Sequence, residues 1–263
     1  MIFYLKNRKI IFCVISILVI ALITFSLLYG QKFHKKSFVS KEGVEGEYLI
    51  YTVPDSEGVL LWLHGDGAYE FSNPDSKEYL DGKDGIKAVA KKKNLTLIVP
   101  KTPSKETWWE DGANNSDYLI QLINSIPHHQ NLWIGGFSGG AEITTYWLIS
   151  KLNQLGIKKG GSVLFGGGGS PEEENITDSV KKNKIIKGDF PMIWIVGEND
   201  TGDANDKDPF NALEVSLQGQ EFYKKQGWKT QRIVLKNFGH VLSKNDIGLY
   251  GQYLDKIIPQ PDE

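Results

Sequence analysis

The chain has 263 residues, 24% of them charged, and a formal net charge of −2. That balance excludes a nucleic-acid binder, which would normally be basic. Its one cysteine, Cys13, lies in an apolar N-terminal run, so no disulfide can close within the chain and no thiol is available to the globular part for catalysis or a cysteine-rich metal site.

Residues 1–9 form a short basic N-terminus with Lys6, Arg8 and Lys9. Ile10 to Tyr29 carries no charge; as a helix it would reach roughly 30 Å, the thickness of a bilayer core. The run is long for a cleaved signal peptide and lacks a good cleavage site, so residues 10–30 are expected to be a transmembrane anchor. Lysines lie on both sides of it (Lys32, Lys35 and Lys36 follow), so the positive-inside rule hardly decides orientation. The expectation is a domain outside the cytoplasmic membrane, because a short N-terminal anchor ahead of one soluble domain usually exports it. Residues 31–44 are polar and basic and read as a linker. The remaining residues, 45–263, are about 220 in number, enough for one domain with a full core.

Within that domain Glu47 to Val53 and the continuously apolar Val59 to Leu63 read as two strands of a hairpin. His64-Gly65-Asp66-Gly67 follows at once. A glycine turn after a strand lets backbone N–H groups approach a substrate, and one at this position can bind an oxyanion; His64 reads as a shaper of that turn rather than a base. Ile86 to Lys93 reads as a helix with a solvated lysine end, and Leu95 to Val99 as a strand stopped by Pro100. Trp108 and Trp109 fall on a loop, where they either line an acyl pocket or pack; Phe137 is a further pocket candidate. Tyr118 to Ser125 reads as a helix capped by Ser116 or Asp117.

An apolar strand then ends at Ile134 and runs into Gly136-Phe137-Ser138-Gly139-Gly140, after which Gly139 to Ser150 has the spacing of a helix with one apolar face. A serine that must attack a carbonyl has to project from a sharp strand-to-helix turn. Flanking glycines remove Cβ atoms that would clash there, and the helix start aims N–H groups at the same spot. Gly161 to Phe165 is the next strand, leading into Gly166 to Gly169 and a short charged segment, 170–190, where a lid would fall. Met192 to Val196 is followed by Asp200, well placed to orient an imidazole; Glu198 and Asp203 are fallbacks. The acidic run Asp200, Asp203, Asp206, Asp208 lacks EF-hand spacing, since Lys207 would occupy a ligand position. Phe210 to Gly227 reads as an amphipathic helix, Thr230 to Leu235 as a strand, and Asp246 to Ile258 as the closing helix. His240, after the last strand, is the only histidine beyond Ser138.

Strands alternate with helices, which implies a mostly parallel central sheet covered on both faces, and each motif sits at the carboxyl end of a strand. On these residues, over about 45 to 260, the chain resembles the α/β-hydrolase family. The resemblance implies a nucleophile at Ser138, an acid at Asp200, a base at His240, and oxyanion donors in the backbone N–H groups of Asp66 and Gly139. It implies a carboxylesterase acting on small or medium acyl esters with no metal or organic cofactor. A peptidase or acyltransferase using the same groups, and a non-catalytic binding protein on the same fold, are the alternatives.

Overall fold

The structure is a computed structural model that describes Ser16 and residues 32–172, 189–202, 210–245 and 247–261. Among these residues no helix is long and apolar enough to cross a membrane. The anchor expected over 10–30 lies outside the described residues but for Ser16, and so do most of the expected lid, 173–188, and the carboxylates Asp203, Asp206 and Asp208.

Eight strands make one sheet: β1 (His34–Val39), β2 (Glu45–Tyr51), β3 (Gly58–Leu63), β4 (Leu95–Pro100), β5 (Asn131–Phe137), β6 (Lys159–Phe165), β7 (Met192–Gly197) and β8 (Thr230–Leu235), in the order β1-β2-β4-β3-β5-β6-β7-β8. The first two pairings are antiparallel; all others are parallel. The central strands β3, β4 and β7 are buried at every position, because helices cover both faces of a parallel sheet. Alternate side chains feed two cores: Val59, Leu61 and Leu63 enter one, Leu60 and Trp62 the other.

The helices are α1 (Tyr69–Ser72), α2 (Ile86–Lys92), α3 (Gly112–Asn124), α4, α5 (Ala212–Lys225) and α6 (Tyr250–Ile257). Helix α4 starts as Gly139–Ile143, passes through a π-helical stretch at Thr144–Leu148 and ends as Ile149–Lys151. Residues of α3, α4 and α5 pack in the first core, those of α2 and α6 in the second. A two-stranded ribbon, β9 (Ser243–Lys244) with β10 (Ile247–Gly248), precedes α6.

Four expectations change. The hairpin of β2 with β3 is absent, because β4 lies between them. A strand apolar on both faces gains most where neighbours and helices enclose it, and β3 finds parallel partners on both sides in β4 and β5. The stretch read as a linker supplies β1, which pairs with β2 from His34↔Ile50 to Val39↔Glu45. Its lysines are the charges that protect an edge strand from further pairing, and Lys35 meets Glu47 at 2.8 Å.

Helix α3 begins at Gly112, six residues before the apolar pattern starts. A Cβ at Gly112 would stand 2.5 Å from the Trp147 indole, and buried Asn115 donates to the Trp108 carbonyl at 2.8 Å. Small and polar residues thus form the tightest part of that helix contact. Lys93 does not face water: it is 4% exposed and pairs with Asp255 of α6 at 3.1 Å.

The role of β1 is testable. Phe38 stacks edge-on against buried Tyr118 with centroids 5.5 Å apart. Phe38→Ala should cost about 1–2 kcal/mol for a partly buried aromatic and lower the thermal midpoint by about 2–8 °C. An unchanged midpoint in differential scanning calorimetry would show that β1 adds nothing to the fold.

Candidate active site

The turn at Ser138 sets the geometry. Ser138 has φ 50° and ψ −117°, a conformation costly for a residue with a Cβ. Its N–H donates to the Phe165 carbonyl at 2.9 Å, and its own carbonyl accepts from Ala141 and Glu142 at 2.8 and 3.0 Å. The flanking glycines are sterically required. A Cβ at Gly136 would lie 2.5 Å from the Gly140 carbonyl oxygen, and one at Gly140 would run into the Leu63 carbonyl oxygen.

Three strand ends converge on this turn. The Ser138 hydroxyl lies 3.0 Å from Nε2 of His240, which follows β8. Nδ1 of His240 lies 3.1 and 3.0 Å from Oδ1 and Oδ2 of Asp200, which follows β7 and is buried. In this arrangement Nδ1–H donates to the carboxylate and leaves Nε2 to accept the serine proton. The imidazole sits between the rings of Phe137, at 5.0 Å, and Phe210, at 5.7 Å. Glu198 serves elsewhere: it accepts from the Asn237 N–H at 3.2 Å and so holds the loop carrying His240.

The His64–Gly67 turn lies against the start of α4. The Asp66 nitrogen is 3.7 Å from where a Cβ on Gly139 would stand, and the Asp66 Oδ1 atom touches that same place. Among the described residues neither the Asp66 nor the Gly139 N–H has a protein acceptor. Asp66 Oδ2 accepts from the Trp109 indole N–H at 3.0 Å. Desolvation raises the Asp66 pKa, nearby Glu110 adds to the rise, and the Trp109 bond and His240 oppose it.

Of the three pocket candidates only Trp109 is open, at 53% exposure. Trp108 is a core residue and not a pocket wall. It is fully buried, its indole N–H donates to the His64 carbonyl at 3.0 Å, and its ring packs on the His64 imidazole at 4.8 Å. Phe137 is buried among His240, Tyr79 and Tyr250 and backs the imidazole.

His64 shapes its turn as expected. Nδ1–H donates to the Gly65 carbonyl at 2.6 Å and Nε2 accepts from the Thr102 N–H at 3.1 Å. Burial depresses its pKa to about 4, so it stays neutral.

Two buried carboxylates beside the site carry no sequence signal. Glu142, on the first turn of α4, accepts from Gly168 N–H at 2.8 Å and Gly169 N–H at 3.4 Å and anchors the glycine loop after β6. Glu70, in α1 and 1% exposed, accepts from the Gly65 N–H at 3.2 and 3.3 Å. Burial raises its pKa to about 7, against the pull of its backbone donors. An acidic residue in a short aromatic segment looks solvated until the loop above it folds over.

Glu70 and His64 give opposite pH slopes. Native Glu70 keeps its proton to about pH 7, while the unfolded chain releases it near 4.5. Its contribution to stability is therefore present at low pH and lost as pH rises through that window, by roughly 3 kcal/mol. His64 works the other way: its contribution is present above 6.5 and is lost as pH falls towards about 4. Glu70→Gln keeps an acceptor for Gly65 and removes one slope only. Urea unfolding should show the variant gaining roughly 3 kcal/mol on the wild type between pH 4.5 and 7.5. A constant difference across that range would mean Glu70 titrates normally.

No protein-family model matches the chain, and no curated protein matches it. Solved structures do match. Zea mays acyl-protein thioesterase 2 aligns with a TM-score of 0.57 at 15% identity, over 81% of this chain and 100% of that one. Dienelactone hydrolase from Anabaena variabilis aligns with a TM-score of 0.57 at 14% identity, over 86% and 94%. A thermostable esterase aligns with a TM-score of 0.54 at 17% identity; 85% of this chain is covered, and it spans 59% of the length of that protein. With the strand order, the turn at Ser138 and the likeness to these structures together, the chain has the α/β-hydrolase fold.

Proposed function

We propose that the chain is a membrane-anchored serine hydrolase that cleaves carboxylic esters of small or medium acyl groups. The observation that carries this reading is the Ser138 hydroxyl 3.0 Å from Nε2 of His240, on a backbone turn with φ 50° and ψ −117°. Ser138 is the nucleophile. His240 takes its proton as the hydroxyl oxygen attacks the ester carbonyl, and Asp200 holds the imidazole in the right tautomer and stabilises its cation. The Asp66 and Gly139 N–H groups receive the oxyanion; one such donor is worth about 3 kcal/mol of barrier. His240 then protonates the leaving alcohol, and water repeats the sequence on the acyl-enzyme. The residues need no cofactor for any of these steps.

The likeness to esterases and to an acyl-protein thioesterase supports acyl transfer to water. The anchor rests on the uncharged run from Ile10 to Tyr29 behind Lys6, Arg8 and Lys9. A short N-terminal anchor ahead of one soluble domain supports a catalytic domain outside the cytoplasmic membrane.

Hydrolysis of p-nitrophenyl esters by the full chain in detergent tests the chemistry. Ser138→Ala should reduce kcat by at least about 10³-fold and abolish labelling by a fluorophosphonate; Asp200→Asn should reduce kcat by roughly 10⁴-fold. Activity that survives Ser138→Ala would remove Ser138 as the nucleophile.

A further inference from the structure

Asp66 is a curious residue to carry an oxyanion donor. Its nitrogen lies 3.7 Å from where a Cβ on Gly139 would stand, and its own carboxylate lies beside Gly139 at the same spot. By Coulomb's law that charge opposes an oxyanion a few ångströms away. None of the ion pairs among the described residues includes Asp66. Among the described residues its one side-chain partner is neutral, the Trp109 indole N–H at 3.0 Å. Glu110, exposed on the same lip, raises the Asp66 pKa by its charge and makes the lip more negative.

That hydrogen bond also fixes the indole. Bonded through its ring edge to the carboxylate, Trp109 is still 53% exposed, so much of its surface stays open to solvent. A fixed carboxylate with an open aromatic ring against it is the chemistry that recognises a cation, by charge on one side and by the ring's negative face on the other.

We infer that Asp66 and Trp109 form a cation subsite beside Ser138, which selects esters carrying an ammonium group within a few bonds of the scissile carbonyl. The inference rests on the esterase reading above. The short reach follows from geometry: one residue supplies both the oxyanion donor and the carboxylate, so the bound cation stands close to the carbonyl oxygen. Two kinds of ester meet that condition, an aminoacyl ester with its α-ammonium and an ester of a short amino alcohol. In either, the cation neutralises Asp66 as the oxyanion forms, and a neutral ester leaves the repulsion in place.

Isosteric pairs separate charge from shape. For the acyl side, the full chain in detergent is given alanine ethyl ester against ethyl isobutyrate, in which a methyl replaces the ammonium. For the alcohol side, it is given acetylcholine against 3,3-dimethylbutyl acetate. The expected result is a preference for the cation in one pair that exceeds, by at least about tenfold in kcat/KM, the ratio at which hydroxide alone cleaves the same two esters, shrinking as salt is raised. The pair that shows it identifies the side of the ester. Asp66→Asn keeps the backbone N–H, and Trp109→Leu keeps an apolar side chain; each should bring the ratio of cationic to neutral ester down towards the ratio at which hydroxide alone cleaves the same pair, whatever happens to absolute rates.

Hydrolysis in which neither pair shows a kcat/KM ratio above that of hydroxide would overturn the cation subsite and leave the esterase reading standing. A preference that survives in Asp66→Asn would overturn the assignment to Asp66. Absence of hydrolysis together with absence of fluorophosphonate labelling at Ser138 would overturn the esterase reading and this inference with it.

Discussion

The backbone at Ser138 is the constraint around which the rest of the structure is arranged. A residue with a Cβ is held at φ 50° and ψ −117°, and strain of that kind persists only where the surroundings over-determine it. Here β5 is paired on both sides by β3 and β6, and α4 is pressed so close to β3 that Gly140 has no room for a side chain beside the Leu63 carbonyl. The turn cannot relax without separating strands that are buried on both faces. The hydroxyl is thereby held at one place by paired strands and a closely packed helix.

The other groups arrive through topology. Parallel strands all end on the same side of the sheet, so the loops after β3, β5, β6, β7 and β8 share one rim. Residues 66, 138, 200 and 240 are spread over more than 170 positions of sequence and meet within hydrogen-bonding reach or close to it. Hydrogen bonds among the loops then set their heights. Glu70 fixes Gly65, Glu142 fixes the glycines after β6, and Glu198 fixes Asn237 ahead of His240. Three carboxylates therefore work as backbone clamps, two of them buried, and the fourth, Asp200, is aimed at the imidazole.

The electrostatics of the rim follow from this distribution. His64 is kept neutral and Glu70 is pushed to about 7 by the same desolvation, which penalises whichever form is charged. Asp66 feels the same desolvation with much less enclosure. It stands exposed at the lip with Trp109 against it, and its charge is the feature that distinguishes this lip from an oxyanion site built of neutral residues alone.

Elements whose formation depends on local periodicity and turn chemistry were legible in the sequence: the apolar strands, α2, α5, and the turn Gly136-Phe137-Ser138-Gly139-Gly140 with Asp200 and His240 each one loop beyond a strand. Those that depend on partners distant in sequence were not. Consecutive strands β2 and β3 look like a hairpin because neither shows that β4 will come between them. His34 to Val39 looks like a linker because an edge strand needs no apolar alternation, only an open backbone edge on β2. Trp108 and Trp109 are adjacent and alike in chemistry, yet one is sealed against His64 and the other is open on Asp66; Glu70 and Glu142 read as solvated charges until the loops close over them. The sequence by itself determined the order of strands β2 to β8 and helices α2 to α6 and the residue types the chemistry requires, since these follow from side-chain pattern along the chain. Which strands pair, which aromatic is open and which carboxylate is buried were decided only by the tertiary structure, because pairing, burial and desolvation are properties of neighbours that sequence distance does not specify.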